Sequence, residues 1–426
     1  MEPEKLTDWN PWWEDKELVN RLKGEPRPKY ERLLDSIDIK EITVITGVRR
    51  SGKSTLMYQM IGSLLEKGAE PKQILFVNLE DRKLNDDTLD DIYLAYRENL
   101  NPDKEAYIFF DEIHRKEGWE HWLRKKYDLK TSDKFVISGS SSYLLKREYS
   151  TLLTGRILAF EVSPLTFEEY LPFKGIKLDK EKLKKGILSE KTKISIKNNL
   201  KEYMELGGFP EVVLKQEPYK RMLLKQYFDD ILYKDIIDRY GLNSQKTKDL
   251  SLYFMTNFTG LISLRSIRNS LGLSYDTIKE YLSCYKDVFL FSTLDYFSYR
   301  IKEQKTRASK IYCVDNGLRN AVSFKFSKDT GHLAENLVFN ELEKKDVYYW
   351  KNKGEVDFVV KEPDNSLTAI NVAYSNEIGE REINSLLEFG KRFKKTKMLL
   401  ITEDLEKKEQ GIKFVPLWKW LLVREE

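Results

Sequence analysis

The chain has 426 residues, too many for one ordinary domain, and about two to four domains are expected from its length. Hydrophobic residues make up 41% and charged residues 33%, with a net charge of +4, so charge alone does not point to nucleic acid. Two cysteines without a CxxC pair and three histidines argue against a zinc site or disulfide framework and favour a reducing cytoplasm. The sequence shows neither a signal-peptide pattern nor an apolar run near the roughly 20 residues that span a bilayer, so no membrane contact is predicted.

The first part of the chain predicts a parallel α/β sheet. Residues 1–40 form an N-terminal arm, and strands then alternate with helices over residues 41–175. The apolar strand segments are ITVIT, ILFVNLE, YIFFDE, KFVISGS and ILAFEV. Strand–helix alternation of this kind is typical of parallel sheets, because parallel strands need crossover connections.

The remaining chain divides into three predicted parts. Residues 176–258 read as helices and predict a helical lid or linker. Residues 259–310 give helix, turn at Gly272, helix and an apolar β-like segment, which is the order of a winged helix. The segment 299–310 would be the wing, and it carries five basic residues and one acidic residue. Residues 311–426 begin a second α/β unit.

A phosphate-binding loop follows the first predicted strand. The segment GVRRSGKST matches GxxxxGK[ST] and comprises Gly47, Val48, Arg49, Arg50, Ser51, Gly52, Lys53, Ser54 and Thr55. Its glycines let backbone N–H groups curl around a phosphate, and the following helix N-terminus favours negative charge. Lys53 is predicted to reach the β- and γ-phosphates, and Ser54 to ligate Mg²⁺.

An acidic pair ends the predicted strand YIFFDE. Asp111 stands where a carboxylate holds Mg²⁺, and Glu112 stands where one orients and deprotonates the attacking water. The pair therefore predicts hydrolysis rather than transfer of phosphate to a metabolite. The sequence has no NKxD guanine signature, so ATP is favoured over GTP.

Two further residues are candidates for the same reaction. Ser140, at the end of the strand KFVISGS, is predicted either to sense the γ-phosphate or to belong to a helix cap formed with Ser141 or Ser142. Arg156, in LLTGRILAF, is either a surface arginine or an arginine finger that acts on the ATP of its own subunit or of a neighbour.

These motifs carry a family resemblance over essentially the whole chain. GVRRSGKSTLM, VNLED, FFDEIH, ISGSSSYLL, LLTGR, SPLTFEEYL and the NPWW of the arm resemble archaeal and bacterial AAA-type (AAA+) ATPases. The resemblance implies an AAA+ core with a helical lid, a winged helix and a restriction-endonuclease-like α/β domain at 311–426. It also implies ATP and Mg²⁺ as cofactors and assembly into a homo-oligomer, as a ring or a dimer.

The nuclease-like part departs from the pattern that it resembles. Such a site needs an acid on a helix, an aspartate on one strand, and a carboxylate-x-lysine on the next. Glu335 and Asp357 match the first two, but Asn371 and Ala373 stand where a carboxylate and a lysine are expected. Loss of the lysine removes charge stabilisation, and loss of the carboxylate weakens Mg²⁺ binding. We therefore predict a nuclease fold whose site is degraded.

The acidic strand GEVDFVV also has a simpler interpretation. Glu355 and Asp357 alternate with apolar residues, so both carboxylates leave the same face of the strand. The two acids would then pair with lysines such as Lys351 or Lys353, without any metal.

The winged helix predicts contact with DNA. Its second helix would enter the major groove, and basic side chains around it would contact phosphates. The residues predicted to take part are Ser274, Tyr275, Thr277, Lys279, Arg265, Arg268 and the 299–310 cluster. Winged helices also bind proteins, so a protein partner is the alternative.

The sequence as a whole favours a Mg²⁺-dependent ATPase coupled to DNA or to a DNA-bound partner. One alternative is a nucleotide-gated switch or scaffold that turns ATP over slowly and acts on a protein partner. A second alternative is an active Mg²⁺-dependent nuclease.

Overall fold

The computed structural model describes residues 1–142, 152–323 and 329–423. The chain forms two compact units. One comprises Met1–Ser163 with Asp287–Phe289, and the other comprises Pro164–Lys286 with Leu290–Glu426. Within the described residues, no helix has both the length and the apolar character needed to cross a bilayer.

The first unit is built on the predicted parallel sheet. Its strands are β1 (Ile42–Thr46), β2 (Ile74–Asn78), β3 (Tyr107–Asp111), β4 (Lys134–Gly139) and β5 (Ile157–Glu161). They lie in the order β2-β3-β4-β1-β5, and every neighbouring pair is parallel. The residues of β1 and β4 are buried throughout, as expected for strands covered on both faces.

Helices cover both faces of this sheet, and two separate hydrophobic clusters lie beneath them. The α-helices of the unit are Glu4–Thr7, Glu31–Asp35, Lys53–Glu66, Leu89–Asn99 and Trp119–Asp128. The last three match the predicted crossover helices. Short 3₁₀ turns lie at Pro11–Trp13, Lys16–Arg21, Pro28–Tyr30, Ser36–Asp38, Pro71–Gln73, Arg82–Leu84 and Ile113–Arg115.

The N-terminal arm covers the edge strand β2. The side chain of Asn10 forms a strand-like pair with Phe76: its Nδ2 donates to the Phe76 carbonyl at 2.8 Å, and its Oδ1 accepts from the Phe76 N–H at 2.7 Å. The indole N–H groups of Trp12 and Trp13 both donate to the Ile74 carbonyl, at 3.2 and 2.9 Å. The NPWW segment therefore satisfies backbone groups that an open sheet edge would leave unpaired.

The second unit begins with helices, as predicted for the lid. They are Phe167–Phe173, Lys180–Lys184, Glu190–Leu206, Pro210–Leu214, Tyr219–Asp230, a π-helical segment Ile231–Ile237, Asp238–Tyr240 and Ser244–Thr256. The helices Leu264–Leu271 and Tyr275–Asp287 follow, separated by Gly272, which has a left-handed φ of 67°. The predicted helix–turn–helix order is therefore present.

The strands after these helices correct one predicted boundary. β6 (Phe291–Leu294) pairs with β7 (Lys310–Cys313) in an antiparallel two-stranded sheet. The segment KIYCVD, which we predicted to open the C-terminal α/β unit, thus belongs to the same small sheet as β6. A short helix, Ile301–Thr306, occupies the connection that was predicted to be a wing. Periodicity alone did not reveal the pairing, because β7 is only four residues long.

The C-terminal part is a six-stranded mixed sheet. Its strands are β8 (Val347–Lys351), β9 (Glu355–Lys361), β10 (Leu367–Ala373), β11 (Thr396–Thr402), β12 (Lys407–Glu409) and β13 (Ile412–Pro416), in the order β12-β13-β11-β10-β9-β8. The helices of this part are Asn316–Val322, Thr330–Leu342, Glu380–Arg392 and Leu417–Leu422. The chain is α/β overall, as predicted.

Replacing Asn10 by alanine tests the edge cover. The change removes three buried hydrogen bonds, one to the Leu6 carbonyl and two to Phe76, and leaves the N–H and carbonyl of Phe76 without their partner, so we expect a loss of about 2–4 kcal/mol in the free energy of unfolding. Asn20→Ala, which removes an exposed bond to Glu17, is the matched control and is expected to change little. Chemical denaturation of both variants measures the difference, and equal stabilities would contradict the role given to Asn10.

Candidate functional site

The loop between β1 and the helix Lys53–Glu66 has the backbone of a phosphate cradle. Gly47 has a φ of 140°, and a Cβ at this position would lie 2.0 Å from the carbonyl oxygen of Val162. Gly52 has a left-handed φ of 98° and immediately precedes the helix. Both positions require glycine, which explains the two glycines of the motif in physical terms.

Lys53 points back over this loop. Its Nζ donates to the carbonyl oxygens of Gly47 and Val48, at 3.0 and 3.2 Å, and lies 4.0 Å from Glu112 Oε1. The amine is almost completely buried. A buried ammonium held beside the loop backbone is placed to bind the phosphates that the loop surrounds.

Asp111, at the end of β3, is bonded both to β4 and to the helix that follows the phosphate loop. Its Oδ2 accepts a hydrogen bond from Ser54 Oγ at 2.6 Å, and its Oδ1 accepts a short one from Ser138 Oγ. Burial and the neighbouring Glu112 raise the pKa of Asp111 to about 6, although the bonds from Ser138 and Ser54 oppose the rise. The structure thus brings the predicted metal ligands Ser54 and Asp111 together.

Glu112 begins the turn after β3 in a left-handed conformation, with a φ of 56°. Its N–H donates to Ser138 Oγ at 3.1 Å, and its Oε2 accepts from the Ser140 N–H at 3.3 Å. His114 Nδ1 lies 3.4 Å from the same Oε2. The carboxylate is therefore fixed in orientation and lies next to Lys53, as a general base for water would need to be.

Ser140 follows β4, which lies between β1 and β3. Ser140 therefore lies between the strand that precedes the phosphate loop and the strand that ends in the acidic pair. Ser140 is fully buried, and its backbone N–H holds Glu112. The alternative of a cap on the segment YLLKRE concerns residues 143–148, which lie outside the described residues.

The oxygen donors of this site suit Mg²⁺. Protein sites for Mg²⁺ on nucleotides use one or two side-chain oxygens and leave the other positions to phosphates and water. The Ser54 hydroxyl and the Asp111 carboxylate, in direct contact, provide that set. Across residues 1–142, 152–323 and 329–423, no group of three or more His, Cys, Asp or Glu side chains is arranged to hold a metal by itself.

Arg156 lies at the other end of the sheet. It precedes β5, and its carbonyl accepts from the Ile42 N–H at the start of β1, whereas the phosphate loop follows the end of β1. Five strand residues at about 3.3 Å each separate the two edges by about 16 Å. Its guanidinium pairs with Asp128, with Nε at 2.8 Å from Oδ1. A finger acting on the ATP of its own subunit therefore does not fit, and action on a neighbour stays a prediction.

The residues of the predicted nuclease remnant surround a lysine. Lys310 Nζ lies 3.0 Å from Glu335 Oε1, 2.7 Å from Glu355 Oε1 and 3.4 Å from Asp357 Oδ1. The Lys310 side chain is 3% exposed. The Tyr312 hydroxyl also donates to Glu335 at 2.8 Å. Glu335 and Asp357 are thus close together, as predicted, but their partner is an ammonium from β7.

Burial and neighbouring charges shift the pKa values of Lys310 and Glu335 in this cluster. Burial alone would lower the pKa of Lys310, but Tyr312 and the three carboxylates outweigh it and hold that pKa well above its ordinary value. Burial raises the pKa of Glu335 to about 7 even beside the ammonium. The simpler interpretation of the strand expected its acids to pair with lysines. Glu355 does pair with Lys351, at 2.9 Å.

Asn371 has a structural place in the same cluster. Its Oδ1 accepts from the Asp357 N–H at 3.1 Å, and its Nδ2 donates to the Glu382 carbonyl and to Ser385 Oγ, each at 3.1 Å. Both ends of the amide are therefore used in hydrogen bonds within the fold. Asn371, which stands where a nuclease-like site would carry a carboxylate, is thus part of the hydrogen-bond network of the fold.

Comparison with known proteins supports the assignment made from geometry. The AAA domain family matches residues 39–171, and two domains of unknown function, DUF8612 and DUF4143, match residues 197–329 and 330–420. The uncharacterized protein MJ1544 of Methanocaldococcus jannaschii is 33% identical over 90% of this chain and 88% of its own length. The chain belongs to the family of AAA+ ATPases that carry a C-terminal DUF4143 domain. An uncharacterized protein of Haemophilus influenzae is 31% identical over 92% of this chain and 97% of its own.

Solved structures of AAA+ proteins are similar only at a distance. The Aeropyrum pernix ORC1 protein in complex with DNA has a TM-score of 0.34 at 12% identity, covering 70% of this chain and 93% of that one. The replication initiator DnaA bound to AMPPCP and single-stranded DNA has a TM-score of 0.28 at 14% identity, covering 63% and 91%. At these TM-scores the likeness adds nothing to the assignment of function in this AAA+ family member.

Sequence reasoning missed two residues that complete these clusters. Ser138 bridges Asp111 and Glu112, and it lies in the strand KFVISGS beside the hydroxyls that were singled out. A serine inside an apolar strand is the feature that could have revealed it. Lys310 was counted with the basic wing cluster, and only the pairing of β7 turns it towards the acids.

Replacing Asp111 by asparagine should stabilise the fold at high pH. Because the pKa of Asp111 is about 6 in the fold and ordinarily 3.8, its ionisation costs stability as pH rises from about 4 to above 6. The two-unit difference corresponds to about 3 kcal/mol, so Asp111→Asn should unfold at higher temperature than the parent at about pH 8.

The gain in unfolding temperature of Asp111→Asn should shrink as the pH is lowered below about 6, where the parent carboxyl is protonated. Asp103→Asn, an exposed site, is the control and should show no such pH-dependent gain. Thermal unfolding from about pH 4 to 8 measures both variants. A gain that does not depend on pH would contradict the burial of an ionised Asp111.

Proposed function

We propose that this AAA+ protein binds ATP with Mg²⁺ and hydrolyses it. The observation that carries the proposal is the convergence of Lys53, Ser54, Asp111 and Glu112 at one edge of the sheet. These four residues come from two separate segments of the chain. Their convergence would supply a phosphate ligand, two metal ligands and a base within one site.

Each residue would have a distinct role. The backbone of Gly47 to Thr55 would surround the phosphates, and the Lys53 ammonium would neutralise charge on the transferred group. Ser54 and Asp111 would hold Mg²⁺, which neutralises charge between the β- and γ-phosphates when bound. Glu112 would orient the attacking water and accept its proton, and the Ser140 N–H would hold Glu112 for that step.

We propose that Arg156 acts on the nucleotide of a neighbouring copy in a homo-oligomer. The support is its distance from the phosphate loop of its own chain and its position on the surface beside Asp128. A ring or dimer would bring the amino edge of one sheet towards the nucleotide of another.

We propose further that ATP turnover is coupled to DNA or to a DNA-bound partner through the predicted winged helix, residues 259–310. Tyr275 is 40% exposed at the start of the second helix, with the Arg268 guanidinium 5.4 Å from its ring centre, and Lys279 is exposed one turn later. These groups suit phosphate and base contacts. Ser274 and Thr277 are engaged with each other at the helix start, so we do not assign them to DNA.

We infer that the C-terminal domain does not cleave DNA. Lys310 places an ammonium at the position between the carboxylates where a nuclease would hold Mg²⁺. An internal cation neutralises these acids and competes with a metal for the same oxygens. The one observation in favour of a nuclease is that Lys310 supplies, from another strand, the lysine that position 373 lacks.

Lys53→Ala should abolish ATP binding and turnover, because its ammonium lies beside the loop carbonyls and 4.0 Å from Glu112. Lys67→Ala, at the far end of the same helix, is the matched control and should keep the parental rate. Steady-state phosphate release with Mg²⁺ measures both variants, and EDTA should stop the reaction. Parental turnover in Lys53→Ala would overturn the site assignment.

The same assay with duplex DNA tests the coupling. We expect DNA to raise the rate at least about threefold at low salt, with the stimulation lost at high salt or in Arg265→Ala/Arg268→Ala. A slow rate of phosphate release that does not change with DNA at any salt concentration would instead favour the nucleotide-gated switch acting on a protein partner.

Lys310→Met tests the fate of the nuclease-like cluster. Three carboxylates lose their common cation, so we expect a loss of about 3–5 kcal/mol in the free energy of unfolding. Mn²⁺ should raise the unfolding temperature of this variant but not that of the parent, because the released acids can then take a metal. Lys408→Met, on the exposed strand β12, is the control.

DNA cleavage assays complete that test. We expect the parent to leave plasmid, duplex and branched DNA intact in Mg²⁺ and in Mn²⁺. Cleavage by the parent that disappears in both Asp357→Ala and Lys310→Met would instead show an active nuclease that uses Lys310 as its lysine.

A further inference from the structure

Two arginines near the nucleotide site share one carboxylate. Arg49, the third residue of the phosphate loop, forms a fork with Glu80, with Nη2–Oε1 and Nη1–Oε2 distances of 2.9 and 3.4 Å. Arg115 Nη2 donates to the same Oε1 at 2.6 Å. Arg49 is the most buried of the three, and its side chain is 11% exposed.

This cluster connects the two halves of the nucleotide site. Glu80 follows β2, which is held to the acidic strand by the bond from the Leu79 N–H to the Asp111 carbonyl at 3.0 Å. Arg115 ends the turn that Glu112 begins, and its N–H donates to the Glu112 carbonyl at 3.0 Å. A continuous chain of contacts therefore runs from the phosphate loop through Glu80 and Arg115 to the proposed base.

Glu80 is held in its charged form by the two arginines. Burial opposes ionisation of Glu80, but the hydrogen bonds from Arg49 and Arg115 outweigh it and lower its pKa to about 2. The carboxylate is therefore charged near neutral pH, and it accepts hydrogen bonds from both guanidinium groups. A phosphate brought close to Arg49 would compete with this carboxylate for the guanidinium.

We propose that Arg49 senses the γ-phosphate of ATP and that Glu80 is the group from which the phosphate takes it. With ATP bound, Arg49 would donate to the γ-phosphate, and Glu80 would keep only Arg115. With ADP bound, Arg49 would stay on Glu80. The proposal deepens the proposed ATPase function and rests on it.

The physical basis is competition between two anions for one guanidinium. Arg49 belongs to the loop whose backbone surrounds the phosphates, so its flexible side chain can reach towards them or towards Glu80. The carboxylate thus opposes ATP binding and has no matching effect on ADP. Arg115 bonds both to Glu80 and to the carbonyl of Glu112. A change in the Arg49–Glu80 ion pair would therefore also shift the position of Glu112, the proposed base.

Two substitutions should therefore act in opposite directions. Arg49→Ala should lower the affinity for a non-hydrolysable ATP analogue about tenfold while leaving the affinity for ADP nearly unchanged. Glu80→Gln should raise the affinity for the analogue about threefold or more relative to that for ADP, because the side chain that competes with the phosphate for Arg49 loses its charge. Arg82→Ala, an exposed arginine two residues after Glu80, is the control. Equilibrium titration in Mg²⁺ gives the ratio of the two dissociation constants for each variant.

The outcomes separate this proposal from the function on which it rests. If Glu80 had only a structural role, Glu80→Gln would lower the affinities for the analogue and for ADP equally, and that result would overturn the proposal. Equal losses for both nucleotides in Arg49→Ala also overturn it. If the parent bound neither nucleotide, the proposed ATPase function would fail first. Thermal unfolding of each variant confirms that the fold is present.

Discussion

The hydrogen bond from Ser54 to Asp111 is the contact on which the nucleotide site depends. It joins the start of the helix after β1 to the end of β3, two strands that are separated in the sheet by β4. Ser138, on β4, closes the gap by bonding Asp111 and the N–H of Glu112. Because all the strands of this sheet are parallel, their carboxyl ends meet at one edge, where the phosphate loop, the proposed metal ligands and the proposed base assemble. The arm and the covered edge of β2 serve this arrangement by keeping the sheet closed on that side.

Two buried charge clusters in the chain have opposite character. Around Asp111, the neighbours are hydroxyls and one lysine that can turn to a phosphate, so the acids keep a position for a cation. Around Asp357, the cation is already present, because Lys310 contacts all three acids of the cluster. Carboxylates alone therefore do not identify a metal site. The side chain that reaches between them decides whether the cluster is open to a ligand or closed by the fold.

The sequence predicted the ATPase part closely because its motifs are local. A strand, a glycine loop and the start of a helix follow one another directly and fix the cradle. An apolar strand that ends in two acids fixes the other half. The prediction was weaker wherever a contact depends on distant pairing. Ser138 and Lys310 act through strand neighbours that no single segment shows, and Arg156 lies at the wrong edge for its own nucleotide because of the direction of β5. The asparagine of NPWW was visible in the sequence, but its strand-like bond to Phe76 was not.

The most direct test of the nucleotide site separates binding from chemistry at Glu112. In Glu112→Gln, the phosphate loop, Lys53 and the metal ligands are unchanged, whereas the base is lost. We predict that this variant binds Mg²⁺·ATP within about threefold of the parent and that its single-turnover hydrolysis rate falls by about 10²–10⁴. Hydrolysis at the parental rate would contradict the role of Glu112, and loss of ATP binding would contradict the separation of roles within the site.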